Sequence, residues 1–238
     1  DRDGLKVALD KGVQTIIIPG TFFHHEEGFS TLGDIALAIQ EGTRAGSKMV
    51  LDFPRIVTLN DHHLVKGLWD VAQINEVEAV IVHDPGLLDQ ASQLGIKAWA
   101  GYGLNINNTR AVEQVKNWGA VRACTSLEII EMEFSHVTKA ASLPLDVMVH
   151  GPLCGIISDF CVMGNADKDQ GCTSPCKDEC FYLVDMLGQK YPVESDHQCR
   201  CYIYHPFELS LFTKLPWLAE RVSSVRIEGQ RYSMELLR

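Results

Sequence analysis

The sequence predicts an α/β protein: a TIM-like (β/α) barrel, incomplete in its strand count, with a cysteine-rich insertion over the carboxyl ends of the strands. Three observations predict it. Short apolar runs alternate with longer amphipathic ones through residues 1–150, the signature of parallel strands joined by helical crossovers. Polar residues recur at the carboxyl ends of the apolar runs. Seven of the eight cysteines lie between Cys154 and Cys201, where the alternation stops.

The elements follow in order. "VQTIIIPG" (13–20) has the β-branched density of a buried strand and ends in Pro-Gly. "STLGDIALAIQEGTRAG" (30–46) reads as a helix, because Leu32, Ile35, Ala36 and Ile39 share one face and Ser30 or Thr31 can cap it. The pair recurs as "KMVLDFPRI" with "NDHHLVKGLWDVAQI", as "EAVIVHDPG" with "LLDQASQLG", as "KAWAGYGLNI" with "NTRAVEQVKNWG", and as "VRACTS" with "LEIIEMEFSHVTKAA". A sixth strand, "PLDVMVHG" (144–151), leads into the cysteines, and "VSSVRIEG" (222–229) supplies a seventh. The barrel thus takes residues 1–154 and 222–238, and residues 155–221 form the insertion, with short antiparallel strands after a Gly- and Asp-rich loop. In this architecture functional groups sit at the carboxyl ends of strands. Pro19, Asp52, His83, Asp84, Tyr102, Asn105, Thr125, His150 and Cys154 all fall there.

Composition narrows the function. Apolar residues make up 46% and charged residues 22%, as in soluble globular proteins. No apolar run is long enough to span a bilayer, and no basic-then-apolar leader precedes the first residues; the reading is cytoplasmic. The chain begins at Asp1, which leaves room for an upstream strand. Net charge is −10, with −3 in residues 151–238 and −7 before them. Nucleic-acid binders present a basic face, so the expected partner is a small-molecule substrate or a protein, in a hetero- or homo-oligomer.

Five thiols within residues 154–180 of a chain this long point to a metal centre, since disulfide frameworks staple domains too small for a core. Cys154, Cys161, Cys172 and Cys176 are the first choice for four thiolates, which suit iron–sulfur iron or zinc. Cys180, Cys199 and Cys201 are surplus thiols that spacing does not rank. His150, four residues before Cys154, and His83, at another strand end, are candidates for proton transfer or for orienting a substrate; each is as well explained as a hydrogen-bonded structural histidine. The pairs His24–His25 and His62–His63 read as loop or helix-start residues. "GYG" (101–103) is too short for a nucleotide fingerprint, and "HHEEGFS" lacks the second histidine of a zinc protease helix.

Four stretches carry a family resemblance: "AVIVHDPGLL" (79–88), "LNINNTRAVEQVKNWGAVRACTSLEI" (104–129), "VMVHGPLCGIISDFC" (147–161) and "VRIEGQRYSMELL" (225–237). The chain resembles the peptidase U32 family, which includes collagenase-like proteins and iron–sulfur factors of oxygen-independent ubiquinone, tRNA and ribosomal-RNA hydroxylation. The resemblance implies a TIM-like barrel with a [4Fe–4S] cluster, and an enzyme or enzyme subunit acting on a small molecule or RNA base. A peptidase, or a non-catalytic cluster-bearing subunit, is the alternative. Cys154, Cys161 and Cys172 match family ligands, and Cys176 matches the second cysteine of the C-x3-C pair. Where some members have a distal cysteine this chain has Ser210, so Cys176 becomes the expected fourth ligand, with Cys201 or Cys199 in reserve. "GYGLN" and "CTSLEI" replace the family's S-T-Q-L-N and S-R-E-L at strand ends, which implies a different substrate.

Overall fold

The computed structural model describes residues 2–24, 28–164, 175–177, 179–229 and 232. Seven helices and ten strands are formed by these residues. In chain order they are α1 (Arg2–Asp10), β1 (Thr15–Pro19), α2 (Leu32–Arg44), β2 (Lys48–Asp52), α3 (His62–Ile74), β3 (Ala79–Val82), α4 (Pro85–Leu94), β4 (Ala98–Ala100), α5 (Thr109–Asn117), β5 (Ala120–Cys124), α6 (Glu131–Ala140), β6 (Leu145–Ser158), β7 (Phe181–Val184), β8 (Lys190–Ser195), β9 (Cys201–Ser210), α7 (Leu215–Ala219) and β10 (Ser224–Ile227).

β1 to β6 pair in parallel in sequence order, and β10 pairs in parallel with the first half of β6. Side chains alternate between the two faces of a strand, and the sequence exploits this. Ile16, Ile18, Met49, Leu51, Val80 and Val82 face outward and join Ile35, Ile39, Leu68 and Leu88 of the helices in the main core. Each such side chain, fully buried, contributes roughly 1.5–3 kcal/mol. Ile17, Val50, Ala79, Ile81 and Trp99 face the other way and form a small apolar layer inside the curled sheet. The helices start where the sequence can cap them. Thr31 accepts from the Asp34 N–H at 3.1 Å, Asp84 from the Leu87 N–H at 2.9 Å, and Asn108 from the Ala111 N–H at 2.9 Å. Asp84, one of the polar residues expected at a strand end, therefore caps α4.

β6 departs from expectation. It does not stop at Gly151 but runs on to Ser158, because β9 offers an antiparallel partner along this extension. β8 and β7 continue outward from β9, so a four-stranded antiparallel ribbon grows out of the same sheet. A bulge falls at Gly155: Cys154 pairs with Tyr204 and Ile156 with Ile203, two residues of β6 against one step of β9.

The far end of the ribbon sits on the loops that follow β1 and β2. Arg200, 4% exposed at its side chain, donates to both Asp61 oxygens at 2.8 and 3.1 Å, to Asp196 at 2.8 Å and to the Ile56 carbonyl at 2.7 Å. The His24 N–H donates to the Ser195 carbonyl and the His197 N–H to the Phe22 carbonyl. Phe23 meets Tyr202 edge-on at 4.9 Å between ring centroids. The ribbon thus leaves the carboxyl end of β6 and lands beside β1 and β2.

Candidate functional site

At the carboxyl ends of the strands, inside the curled sheet, lies a closed ionic network. His83 follows β3 and is 2% exposed at its side chain. Its Nδ1 accepts the Gly103 N–H at 3.1 Å, which places the ring proton on Nε2, 2.9 Å from Asp52 Oδ1. The other Asp52 oxygen accepts from Arg226 Nη2 at 2.6 Å, and Arg226 Nε is paired with Glu228. Burial alone would raise the Asp52 carboxyl, but Arg226 and His83 more than offset it and hold it below the ordinary value. The Arg226 guanidinium loses solvent too, yet Glu228 and Asp52 raise it well above its usual range.

The short "GYG" stretch is what makes room for His83. A Cβ at Gly101 would lie 2.4 Å from His83 Cε1, and one at Gly103 would lie 2.8 Å from His83 Cβ. Between them Tyr102 meets the imidazole edge-on at 5.2 Å, with the Arg55 guanidinium 5.2 Å and that of Arg226 5.7 Å from its ring centroid. Burial, with the Glu228 carboxylate nearby, pushes the Tyr102 hydroxyl up. One layer deeper, Arg122 donates to Asp146 at 2.9 Å and to Ser224 at 2.8 Å, and stacks over Trp99. Burial pushes the Cys124 thiol up to about 12, so it stays protonated.

Arg55 differs from its neighbours. Arg122, Arg200, Arg221 and Arg226 each pair with a carboxylate, whereas Arg55 is the one partly buried arginine among the described residues for which no such pair is formed. Its Nη1 reaches only the Cys154 carbonyl, at 3.4 Å, which puts the guanidinium at the seam between barrel and ribbon.

The two candidate histidines sit in different networks. His150 Nδ1 lies 2.9 Å from the Leu209 carbonyl, and Nε2 lies 3.1 Å from the Tyr232 hydroxyl, which also donates to Glu208. Phe212 covers the ring at 4.9 Å. His150 therefore ties β6 to β9 and the stretch after it, while His83 belongs to the barrel mouth.

The cysteines divide as well. Cys201, fully buried, and Cys176 share an apolar pocket with Met163 and Val193, and Cys161 packs against it. Burial pushes the Cys201 thiol up to about 11, the Val162 backbone opposing and the adjacent Cys161 and Cys176 sulfurs adding to the rise. Cys154 lies elsewhere on the ladder, its Sγ 3.4 Å from the Ile156 carbonyl. Cys199 is exposed in the turn between β8 and β9, with φ of 60°. Cys172 lies outside the described residues. Among those described, no three His, Cys, Asp or Glu side chains converge in the geometry of a metal site.

Sequence reasoning missed Arg55, Arg226, Glu228 and Arg200. For two of them a signal existed: in "SVRIEG", Ser224, Arg226 and Glu228 alternate with Val225 and Ile227, the period of a strand with one polar face.

A curled parallel sheet with polar groups at its carboxyl mouth defines the class, and comparison with known proteins gives the family. The chain belongs to peptidase family U32, whose model matches residues 1–237. It is 26% identical over 193 residues to "Uncharacterized protease MJ0090" of Methanocaldococcus jannaschii, a match covering 77% of this chain and 46% of that protein. The chain thus spans about half the length of this curated relative. Its fold is similar to that of the U32 peptidase Mk0906, with a TM-score of 0.50 at 14% identity, over 60% of this chain and 65% of that one. Among the described residues no helix is long and apolar enough to cross a membrane.

Proposed function

We propose that this chain is an iron–sulfur member of the U32 family, acting in oxygen-independent hydroxylation or a related redox modification of a small anionic molecule. The observation that supports it best is the gathering of Cys161, Cys176 and Cys201 in one pocket of a ribbon seated on the barrel's carboxyl mouth. Thiolates in an apolar setting are the donors an iron–sulfur cluster uses, and Cys172 stands four residues before Cys176 in sequence. A bound cluster would supply one-electron chemistry. The chain's own residues would supply the rest: Arg55 meets the anionic group, Tyr102 offers its ring, and Asp52, His83 and Arg226 hold Tyr102 in place. Zinc is the alternative occupant, and an RNA base is the less favoured substrate given a net charge of −10.

The test is the metal and sulfide content of protein purified without oxygen. Brown protein with about four iron and four sulfide per chain is expected, and Cys124→Ala should retain both. Stoichiometric zinc without sulfide would refute the reading.

A peptidase is the second reading, favoured by the names of the family and of both relatives. The barrel mouth argues against hydrolysis through His83, whose Nδ1 is taken by Gly103 and whose Nε2 faces Asp52. Peptide cleavage by metal-free protein would favour it.

A further inference from the structure

Arg55 and Glu228 stand at the same ring without pairing. The Arg55 guanidinium lies 5.2 Å from the Tyr102 ring centroid, and that of Arg226 lies 5.7 Å from it. Arg226 brings two carboxylates with it, Asp52 on Nη2 and Glu228 on Nε. Each Asp52 oxygen already has a donor, from His83 or from Arg226. Glu228 is paired through Oε1 alone, which leaves its second oxygen as the natural partner for a nearby guanidinium. Arg55 does not take it. A partly buried cation is costly without a counter-charge, so this separation needs a cause, and the aromatic ring supplies one. Cations settle over aromatic faces, and Tyr102 is itself fixed by the imidazole that meets it edge-on. Tyr102 also belongs to the "GYGLN" stretch, in which this chain differs from its family's strand-end pattern.

The charges also say which anion fits. His83 carries a single ring proton, so Arg55 and Arg226 balance Asp52 and Glu228 and the mouth is neutral. A carboxylate adds one negative charge, and its two oxygens match the planar donors of a guanidinium. A phosphate dianion would add two beside the carboxylates already there. Arg55 Nη1 reaches the Cys154 carbonyl, and its remaining donors are uncommitted among the described residues.

We infer that Tyr102 is a positioning residue: it keeps Arg55 off Glu228 and so leaves Arg55 ready for a carboxylate group of the substrate. This rests on Arg55 meeting the anionic group in the site proposed above. The test is calorimetric titration of benzoate into full-length protein purified without oxygen, with benzamide as the uncharged probe, inorganic phosphate as the competing anion, and thermal melts as a check on folding. Benzoate should bind at least about tenfold more tightly than benzamide, and Arg55→Met should erase that difference. Tyr102→Phe keeps the ring and should bind benzoate as the unsubstituted protein does. Tyr102→Leu should lose binding as Arg55 closes on Glu228, and Glu228→Gln added to it should restore binding. A Tyr102→Leu variant that binds normally, or one that Glu228→Gln does not rescue, overturns the positioning role. Binding indifferent to Arg55→Met, or phosphate bound more tightly than benzoate, overturns the carboxylate assignment. Brown protein that binds no benzoate keeps the iron–sulfur reading and overturns this one; metal-free protein that binds it through Arg55 does the reverse.

Discussion

The parallel barrel and the antiparallel ribbon share β6, yet different forces hold them. In the barrel, every strand from β1 to β5 lays an apolar face on a helix, and Leu51, Val80, Val82 and Leu88 are wholly removed from water. In the ribbon, β7 is an edge strand with Tyr182, Leu183 and Val184 exposed, and the ribbon's hold on the barrel loops centres on one buried guanidinium between two carboxylates. A core built from many interchangeable apolar contacts tolerates loss of any one. A junction built around a few charged groups does not.

The largest expected effect tests that junction. Arg200→Leu leaves Asp61 and Asp196 buried without their cation, and breaking a buried pair in this way costs about 3–5 kcal/mol. Urea denaturation should show it, and a loss under about 1 kcal/mol would mean that the ribbon is seated by its apolar contacts instead. A pair of glycines sharpens the contrast. Gly101→Ala drives a methyl group into the enclosed His83 ring and should cost about 1–3 kcal/mol. Gly155→Ala, in the ribbon, crowds the end of the His205 side chain at 3.1 Å and meets the Ile203 carbonyl at an ordinary 3.9 Å, and thermal melts should record the smaller shift. Equal shifts would erase the distinction between a rigid mouth and a yielding ribbon.

The smallest effect concerns pH. Asp52 is held below its ordinary value of 3.8, so its carboxylate contributes stability above that pH, lost as pH falls through the lower folded-state value. Asp146 runs the other way: burial outweighs the help of Ser224 and Arg122 and raises it, so its contribution declines as pH rises past 3.8. Melts of Asp52→Asn against unsubstituted protein should therefore converge toward acid. A gap that widens below pH 3.8 would reverse the assigned sign.

The barrel was legible because its rules are local. Short apolar strands, capped helices and polar strand ends are all written within a dozen residues, and β1 to β5 with the helices between them fall where those patterns place them. The ribbon was not, because its determinants act across the chain. Nothing near Arg200 announces a partner 139 residues away at Asp61. The end of β6 depended on β9, and the face of Cys154 depended on a bulge that no spacing rule registers. His150 and His83 looked alike as strand-end histidines, and only the position of Leu209 and Tyr232 against one, and of Asp52 and Gly103 against the other, separates them.

Gly155 therefore carries information by being present at all, more than by being glycine. A substitution there leaves the count of residues, and so the face of every neighbour, unchanged. Loss of that one codon would remove the register shift between Cys154 and Ile156 and turn the Cys154 sulfur toward the side occupied by Cys201. Among related chains, a gap or insertion at this point of an alignment would mark a change in the face that the Cys154 sulfur takes.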